Sequence, residues 1–326
     1  MTRKINIGVL GCANIAERFM IPAIISLNQH FNLIGIASRN LEKAAQFAEK
    51  ANAKPYNSYE ELIDDPLLDA VYIPLPNALH AQWIEIALGL GLHVLVEKSM
   101  ACSYEEVREL NKIAKARSLV LLENFQFRFH TQLAFIKKIL HEGTIGELRC
   151  MRSSFGFPPF PNENNIRYQK ELGGGALLDV GAYPIKLSQI FLGENIDVKE
   201  ANFYFDENKG VDIWGGAYLK QRDGVLFSEI AFGFDNFYQC NLELWGSKGK
   251  IYTNRIFTAS PEHEPIIELE TMAGKEMIKL PVDYHFKNML MHFYDLIISK
   301  KGIKNEYLQN VNQARLIEEL KNKASN

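Results

Sequence analysis

The stretch Ile5-Asn6-Ile7-Gly8-Val9-Leu10-Gly11-Cys12-Ala13-Asn14-Ile15-Ala16 decides how the first part of the chain is read. Its apolar run, Ile5–Leu10, has strand character and stops at a glycine. Apolar residues then recur at helical spacing over Asn14–Leu27, with Pro22 as an expected kink. Gly11 permits a tight strand-to-helix turn, and Ala13 is small enough for backbone amides to approach an anion. Ala16 allows the helix to pack closely on the sheet. The frame Gly11-x-Ala13-x-x-Ala16 is thus a variant of the pyrophosphate-binding glycine loop, with Asn14 and Ile15 starting its helix.

Outward from that loop, strand and helix signals alternate. Leu33–Ala37, Ala70–Ile73, His93–Glu97 and Leu119–Glu123 read as buried strands. Leu41–Lys50, Tyr59–Asp64, His80–Leu90 (closed by Gly91) and Tyr104–Arg117 read as helices. This alternation predicts a doubly wound parallel sheet of the Rossmann kind. After Gly146 the texture changes. Leu148–Phe155, Asp197–Phe205, Asp212–Lys220, Val225–Phe234, Cys240–Trp245, Lys250–Asn254, Ile266–Glu270 and Met277–Leu280 read as strands. Tight-turn signals such as Arg222-Asp223-Gly224 separate several of them, which predicts a mostly antiparallel open sheet. Asp283–Ser299 and Asn310–Lys323 look helical. The expected organisation is a dinucleotide-binding domain over residues 1–123 and a sheet domain for substrate and oligomerisation over 124–326. The C-terminal helix is expected to pack back on the first domain.

Composition narrows the function classes. With 326 residues, 47% hydrophobic and 23% charged, the chain has the balance of a two-domain globular protein. A formal net charge of -3 leaves no basic surplus for a nucleic-acid backbone. Cys12, Cys102, Cys150 and Cys240 lie far apart, so neither a zinc site nor a disulfide framework is expected. No metal is implied by the histidine spacing. Met1-Thr2-Arg3-Lys4 runs straight into the first strand without a signal-peptide apolar region, and no apolar stretch is long enough to span a bilayer. A cytoplasmic setting without membrane contact is expected.

The second strand ends Gly35-Ile36-Ala37-Ser38-Arg39. A carboxylate near this point would accept the ribose 2′-hydroxyls of NAD. Ser38 and Arg39 offer a hydroxyl and a guanidinium instead, which suit a 2′-phosphate. NADP(H) is therefore expected in preference to NAD(H). The loop Pro74-Leu75-Pro76-Asn77-Ala78-Leu79-His80 follows a strand's carboxyl end, where doubly wound sheets bind ligands. Pro74, Leu75, Pro76 and Asn77 are candidates to line the nicotinamide end. His80 reads equally as part of that lining or as a packing residue.

Three stretches together carry a resemblance. They are Pro74–His80, then His93-Val94-Leu95-Val96-Glu97-Lys98, then Gly173-Gly174-Gly175-Ala176-Leu177-Leu178-Asp179-Val180-Gly181-Ala182-Tyr183. With the Gly11 loop, they make the chain similar to the glucose–fructose oxidoreductase/inositol dehydrogenase (Gfo/Idh/MocA) family over nearly its whole length. The resemblance implies that Glu97 and Lys98 sit at the cofactor and that Lys98 lies beside the reacting carbonyl or alcohol. It implies Tyr183 as proton donor or acceptor and Asp179 as a substrate-positioning group. Many members carry His where this chain has Tyr183, and Ser99 replaces the proline of the family's Glu-Lys-Pro. The chemistry is independently sensible: hydride delivery to a ketone builds charge on oxygen, which calls for a proton donor and a nearby cation. A Lys98 ammonium would favour the Tyr183 phenolate.

Phe125-Gln126-Phe127-Arg128-Phe129-His130 and the segment from Phe155 through Phe157 and Phe160 to Arg167 and Tyr168 resemble nucleotide-sugar 3-ketoreductases of deoxysugar pathways. That likeness implies a nucleotide-linked keto-sugar as the small-molecule substrate, with Arg167 on its diphosphate and Phe157 or Phe160 stacked on base or sugar. Structural packing is the alternative reading for the same residues. Oxidation of a free sugar or trans-dihydrodiol, and dinucleotide sensing without turnover, remain as rival functions. A broad free sheet face points to a homodimer or homotetramer.

Overall fold

The computed structural model describes residues 3–324. The chain divides into two compact units, Met1–Asn124 with Phe286–Val311, and Phe125–His285 with Asn312–Asn326.

The first unit is built on six strands: β1 (Ile5–Leu10), β2 (Phe31–Ala37), β3 (Lys54–Tyr56), β4 (Ala70–Ile73), β5 (His93–Glu97) and β6 (Leu121–Asn124). They lie side by side in the order β3-β2-β1-β4-β5-β6, every pair parallel. The order reverses between β1 and β4, and this is the topological switch point of a Rossmann sheet. Helices α1 (Ile21–Ser26), α2 (Leu41–Ala51), α3 (Tyr59–Ile63), α4 (Asn77–Gly89) and α5 (Tyr104–Arg117) make the crossovers. Ala70, Val71, Tyr72 and Ile73 are all fully buried, as expected for a parallel strand covered on both faces.

Local chemistry explains the helix boundaries. Asn40 and Ser58 cap α2 and α3, and Ser103 with Glu106 forms a reciprocal capping box on α5. The helix expected over Asn14–Leu27 is widened into a π-turn at Ala16–Met20, where Ile21 N–H bonds the Ala16 carbonyl. Pro22, which has no N–H to give, follows directly. Strand β3 was not expected. Only Tyr56 of its residues is buried and Pro55 sits within it, so it carries no apolar run. Helix α4 begins at Asn77 rather than His80, directly after Pro76 in an extended conformation.

The second unit holds α6 (Thr131–His141), β7 (Leu148–Gly156), α7 (Ala182–Leu192), β8 (Ile196–Asp206), β9 (Val211–Gln221), β10 (Phe227–Gly233), β11 (Gln239–Gly246), β12 (Gly249–Thr253), β13 (Ile266–Thr271) and β14 (Gly274–Lys279). The sheet order is β14-β13-β12-β11-β7-β10-β9-β8, antiparallel except for β10 with β7. The last helices are α8 (His285–Ser299) and α9 (Ile303–Ala324). Within the first unit, Tyr307 Oη donates to the Leu119 carbonyl at 2.5 Å and Asn310 Nδ2 to the Leu121 carbonyl at 3.0 Å. Within the second, Gln313 Nε2 donates to the Ala182 carbonyl at 2.8 Å. Among the described residues, no helix is long and apolar enough to cross a membrane.

Several histidines are built in as neutral rings. His93 Nδ1 accepts the Val120 N–H at 2.9 Å, and His130 Nδ1 accepts the Gln132 N–H at 3.1 Å. Each bond requires an unprotonated nitrogen. Burial lowers His80 and His93 to about 4 and His285 to about 3, from an ordinary 6.5. The unfolded chain therefore takes up protons first as pH falls. This contribution to stability is complete above about pH 6.5 and drains away as pH falls toward 4. Thermal unfolding followed by circular dichroism should show a midpoint that is flat near neutrality and drops by roughly 5 °C or more between those limits. His93→Asn, which keeps an acceptor but cannot titrate, should flatten the slope. A midpoint that holds steady down to pH 4 would contradict the neutral-ring assignment.

Candidate active site

In the first unit, the carboxyl ends of β1, β2, β4 and β5 carry the expected cofactor residues. Gly11 has φ +126°, and a Cβ there would come within 2.9 Å of the Leu75 side chain. Only glycine serves at that turn. Ala13 and Ile15 are half-buried and Asn14 is exposed, at the first turn of a helix whose free amides suit a pyrophosphate. Ser38 Oγ accepts the Asn40 N–H at 3.2 Å, and Asn40 in turn accepts the Lys43 N–H at 3.0 Å. Arg39 is exposed and hydrogen-bonds Tyr59, whose hydroxyl is raised by burial and pulled back by that guanidinium. A hydroxyl, a guanidinium and the start of α2 therefore share the end of β2, and this fits a 2′-phosphate.

The loop after β4 and the loop after β5 are joined by His80. Its ring is fully buried, with Nδ1 2.8 Å from the Ser99 carbonyl oxygen and Nε2 2.8 Å from that of Leu75. His80 thus ties the two loops together through backbone, in keeping with the packing reading of the two that the sequence left open. Pro74 is buried, while Leu75, Pro76 and Asn77 are half-buried.

Glu97 accepts the Tyr72 hydroxyl and the Asn124 amide, each at 2.6 Å. Burial raises its carboxyl, and those two donors and the Lys98 charge oppose the rise. Lys98 is half-buried and its charge is felt at both Glu97 and His80. The Lys98–Ser99 peptide is cis although Ser99 stands where a proline was expected from the resemblance. Met100 N–H then bonds Glu123 Oε1 at 2.8 Å, anchoring the far side of the turn.

In the second unit, Asp179 lies in a π-turn, Leu177–Gly181, that runs straight into α7, where Tyr183 sits. Tyr183 is 7% exposed. Its ring is enclosed by Phe125, Phe127, Phe155 and Phe257, with centroids 5.6, 5.8, 5.1 and 5.5 Å away. Arg167 Nε donates to Asp179 in a close ion pair, so two expected substrate residues are brought together. The charge of Asp179 is the main cause holding the Arg167 guanidinium above its ordinary value. That guanidinium also lies 4.9 Å over the Phe160 ring. Phe157, Phe160, Tyr168 and Phe234 form one aromatic cluster, with Phe157 stacked on Phe234 at 5.5 Å.

Several groups at these positions were not anticipated from the sequence. Lys43 and Tyr59 stand by Ser38 and Arg39, but neither falls in a motif. Lys186, one turn beyond Tyr183, is 1% exposed with its ammonium 5.5 Å from the Phe125 ring centre. Asp212, from β9, bonds the Leu177 N–H at 2.6 Å.

Known proteins resemble this chain in sequence and in fold. Residues 5–125 match the GFO/IDH/MocA oxidoreductase family with its NAD-binding Rossmann fold, and residues 133–252 match the GFO/IDH/MocA C-terminal domain. The chain is 36% identical over 314 residues to a dTDP-3,4-didehydro-2,6-dideoxy-alpha-D-glucose 3-reductase from Actinomadura kijaniata, covering 96% of this chain and 94% of the other. It is 34% identical over 316 residues to the reductase of the same description from Streptomyces antibioticus, covering 97% and 95%. The crystal structure of a 3-ketoreductase from Actinomadura kijaniata, in complex with NADP and TDP-benzene, superposes with a TM-score of 0.94 at 35% identity, covering 98% of each chain. On its glycine loop, its Glu97-Lys98 turn, its Asp179…Tyr183 segment and these matches, the chain belongs to the Gfo/Idh/MocA family of oxidoreductases.

Proposed function

We propose that this protein is an NADP(H)-dependent ketoreductase that reduces the C3 ketone of a nucleotide-linked keto-deoxysugar. The observation that carries the reading is Tyr183, a phenol caged by four phenylalanines, four residues after the Asp179 that holds Arg167. The relatives named above, which act on a dTDP-linked keto-sugar, support the substrate class. Ser38 and Arg39 support a 2′-phosphorylated cofactor.

The nicotinamide, when bound, supplies the hydride that converts the ketone carbon to an alcohol carbon. The rest of the chemistry falls to side chains. Tyr183 gives its proton to the carbonyl oxygen as charge builds there. The Lys98 ammonium favours the phenolate that remains and so eases the transfer. The hydrocarbon cage fixes the phenol and keeps water from its ring. Arg167 presents a guanidinium suited to a diphosphate, with Asp179 holding its orientation. Phe157 and Phe160 offer flat apolar surface for a sugar or base.

The open face of the eight-stranded sheet supports assembly into a homodimer or homotetramer. Trp214 and Tyr204 stack at 5.5 Å on exposed surface, and Trp245 is 52% exposed. Between them Arg152 is clamped by Glu229 at 2.6 Å and Glu243 at 3.0 Å.

Nicotinamide-fluorescence titration should show tighter binding of NADPH than of NADH, and Arg39→Ala should weaken NADPH more than NADH. Equal weakening of both would remove the 2′-phosphate role. With a dTDP-linked 3-keto-sugar as substrate, Lys98→Ala and Tyr183→Phe should each lower turnover by roughly two to four orders of magnitude. NADPH binding should persist in Tyr183→Phe. Full turnover in that variant would defeat the proton-donor assignment, and turnover of free sugars or trans-dihydrodiols alone would redirect the substrate class. Sedimentation should return a multiple of 37.2 kDa, and Trp214→Glu with Trp245→Glu should yield monomer.

A further inference from the structure

The segment that carries Asp179 and Tyr183 is anchored by a residue remote from it in sequence. Asp212 on β9 accepts the Leu177 N–H at 2.6 Å, across 35 positions. The amide of Ala176 also bonds the same carboxylate. These amides open the π-turn Leu177–Gly181 that leads into α7. They belong to the end of a helix that lacks internal acceptors, and the carboxylate meets both the unmet N–H groups and the positive end of the helix dipole.

Sheet geometry shows that Asp212 is aimed there by a specific irregularity. Tyr218 pairs with Glu229, which pairs with Arg152, so Tyr218 lies on the open face. Strict alternation would place Gly216, Trp214 and then Asp212 on that face too. The β8–β9 register instead shifts between Tyr204, paired with Trp214, and Phe205, paired with Asp212. Ile213 is the extra residue. A bulge of this kind re-aims the side chain beside it. Gly175 completes the fit: it has φ +111°, and a Cβ there would lie 2.3 Å from Asp212 Oδ1. The third glycine of the Gly173-Gly174-Gly175 run is thus required by the Asp212 carboxylate as well as by its own backbone.

We infer that Asp212 is a positioning residue for the reaction: by gripping the amides of Ala176 and Leu177 it sets where Asp179 and Tyr183 stand. The inference rests on the function proposed above. Asp212 touches neither reacting group; it acts through the helix start. Burial raises its carboxyl, and the bonded amides oppose that rise, in keeping with a group committed to this contact.

The test is steady-state kinetics of the full-length protein with NADPH and a dTDP-linked 3-keto-sugar. Asp212→Ala should lower kcat by about 100-fold, since a displacement of about 1 Å costs that much. NADPH affinity, measured by fluorescence, should stay within about twofold. Asp212→Asn keeps one acceptor oxygen and should recover most of the loss. Gly175→Ala, which pushes on the same carboxylate from the other side, should lower kcat in the same way. Combined with Tyr183→Phe, Asp212→Ala should add nothing to the loss, because both act on one proton transfer. An Asp212→Ala protein that keeps wild-type kcat overturns the inference, as does a double variant whose losses multiply. Full turnover in Tyr183→Phe alone would instead strike the site assignment itself, which separates the two failures.

Discussion

The constraint on which the first unit depends is the burial of a parallel sheet on both faces. Strands β4 and β5 are sealed by helices, so their polar backbone groups find partners only in neighbouring strands. Polar chemistry is thereby excluded from the strand interiors and pushed to their carboxyl ends. Gly11, Ser38, Arg39, Pro74 and Lys98 all stand within a few residues of such an end. The switch between β1 and β4 opens the space those loops share. The location of the proposed cofactor residues is a consequence of how the sheet hides its backbone.

Lys98 and the ring of Tyr183 have different surroundings. Around Lys98 the contacts are polar: His80 spans the carbonyls of Leu75 and Ser99, Glu123 takes the Met100 amide, and Glu97 takes Tyr72 and Asn124. Buried polar contacts of this kind are directional, and they specify one backbone path where apolar packing would tolerate several. The Tyr183 ring lies against four phenylalanine rings set edge-on or tilted to the phenol. The difference suits the proposed roles. An ammonium needs a fixed backbone turn to project from, whereas a phenol that must ionise transiently gains from a dry, rigid surround.

Much of the first unit was legible in the sequence because its strands are continuous apolar runs. Ala70–Ile73 and His93–Glu97 have the expected bounds, and the glycine loop sits where its spacing predicts. β3 was hidden because an edge strand with Pro55 and a single buried residue leaves no periodic trace. In the second unit the eight strands were recognisable, but α6 and α7 were not anticipated as elements. Helix α7 is apolar nearly all round, with Ala182 through Gln189 buried, so it shows no amphipathic stripe. Asp179, Tyr183 and Arg167 were found through motif resemblance. The rings that enclose Tyr183 come from residues 125, 127, 155 and 257, and no local pattern announces that they meet.

Asp212 shows why such contacts escape a reading by periodicity. Alternation along β9 assigns it to the open face, beside Trp214 and Tyr218, and a reader of the sequence would place a solvated carboxylate there. One extra residue, Ile213, reverses that assignment. The reversal is visible only once both strands of the β8–β9 pair are in register, because a bulge is a property of a pair and not of a strand. The glycine that receives the carboxylate is equally mute on its own: Gly175 reads as a flexible turn until the partner 37 positions later is in place, as the contact with Asp212 shows. Motif and bulge are thus two halves of one device, and each residue type makes sense only through the other.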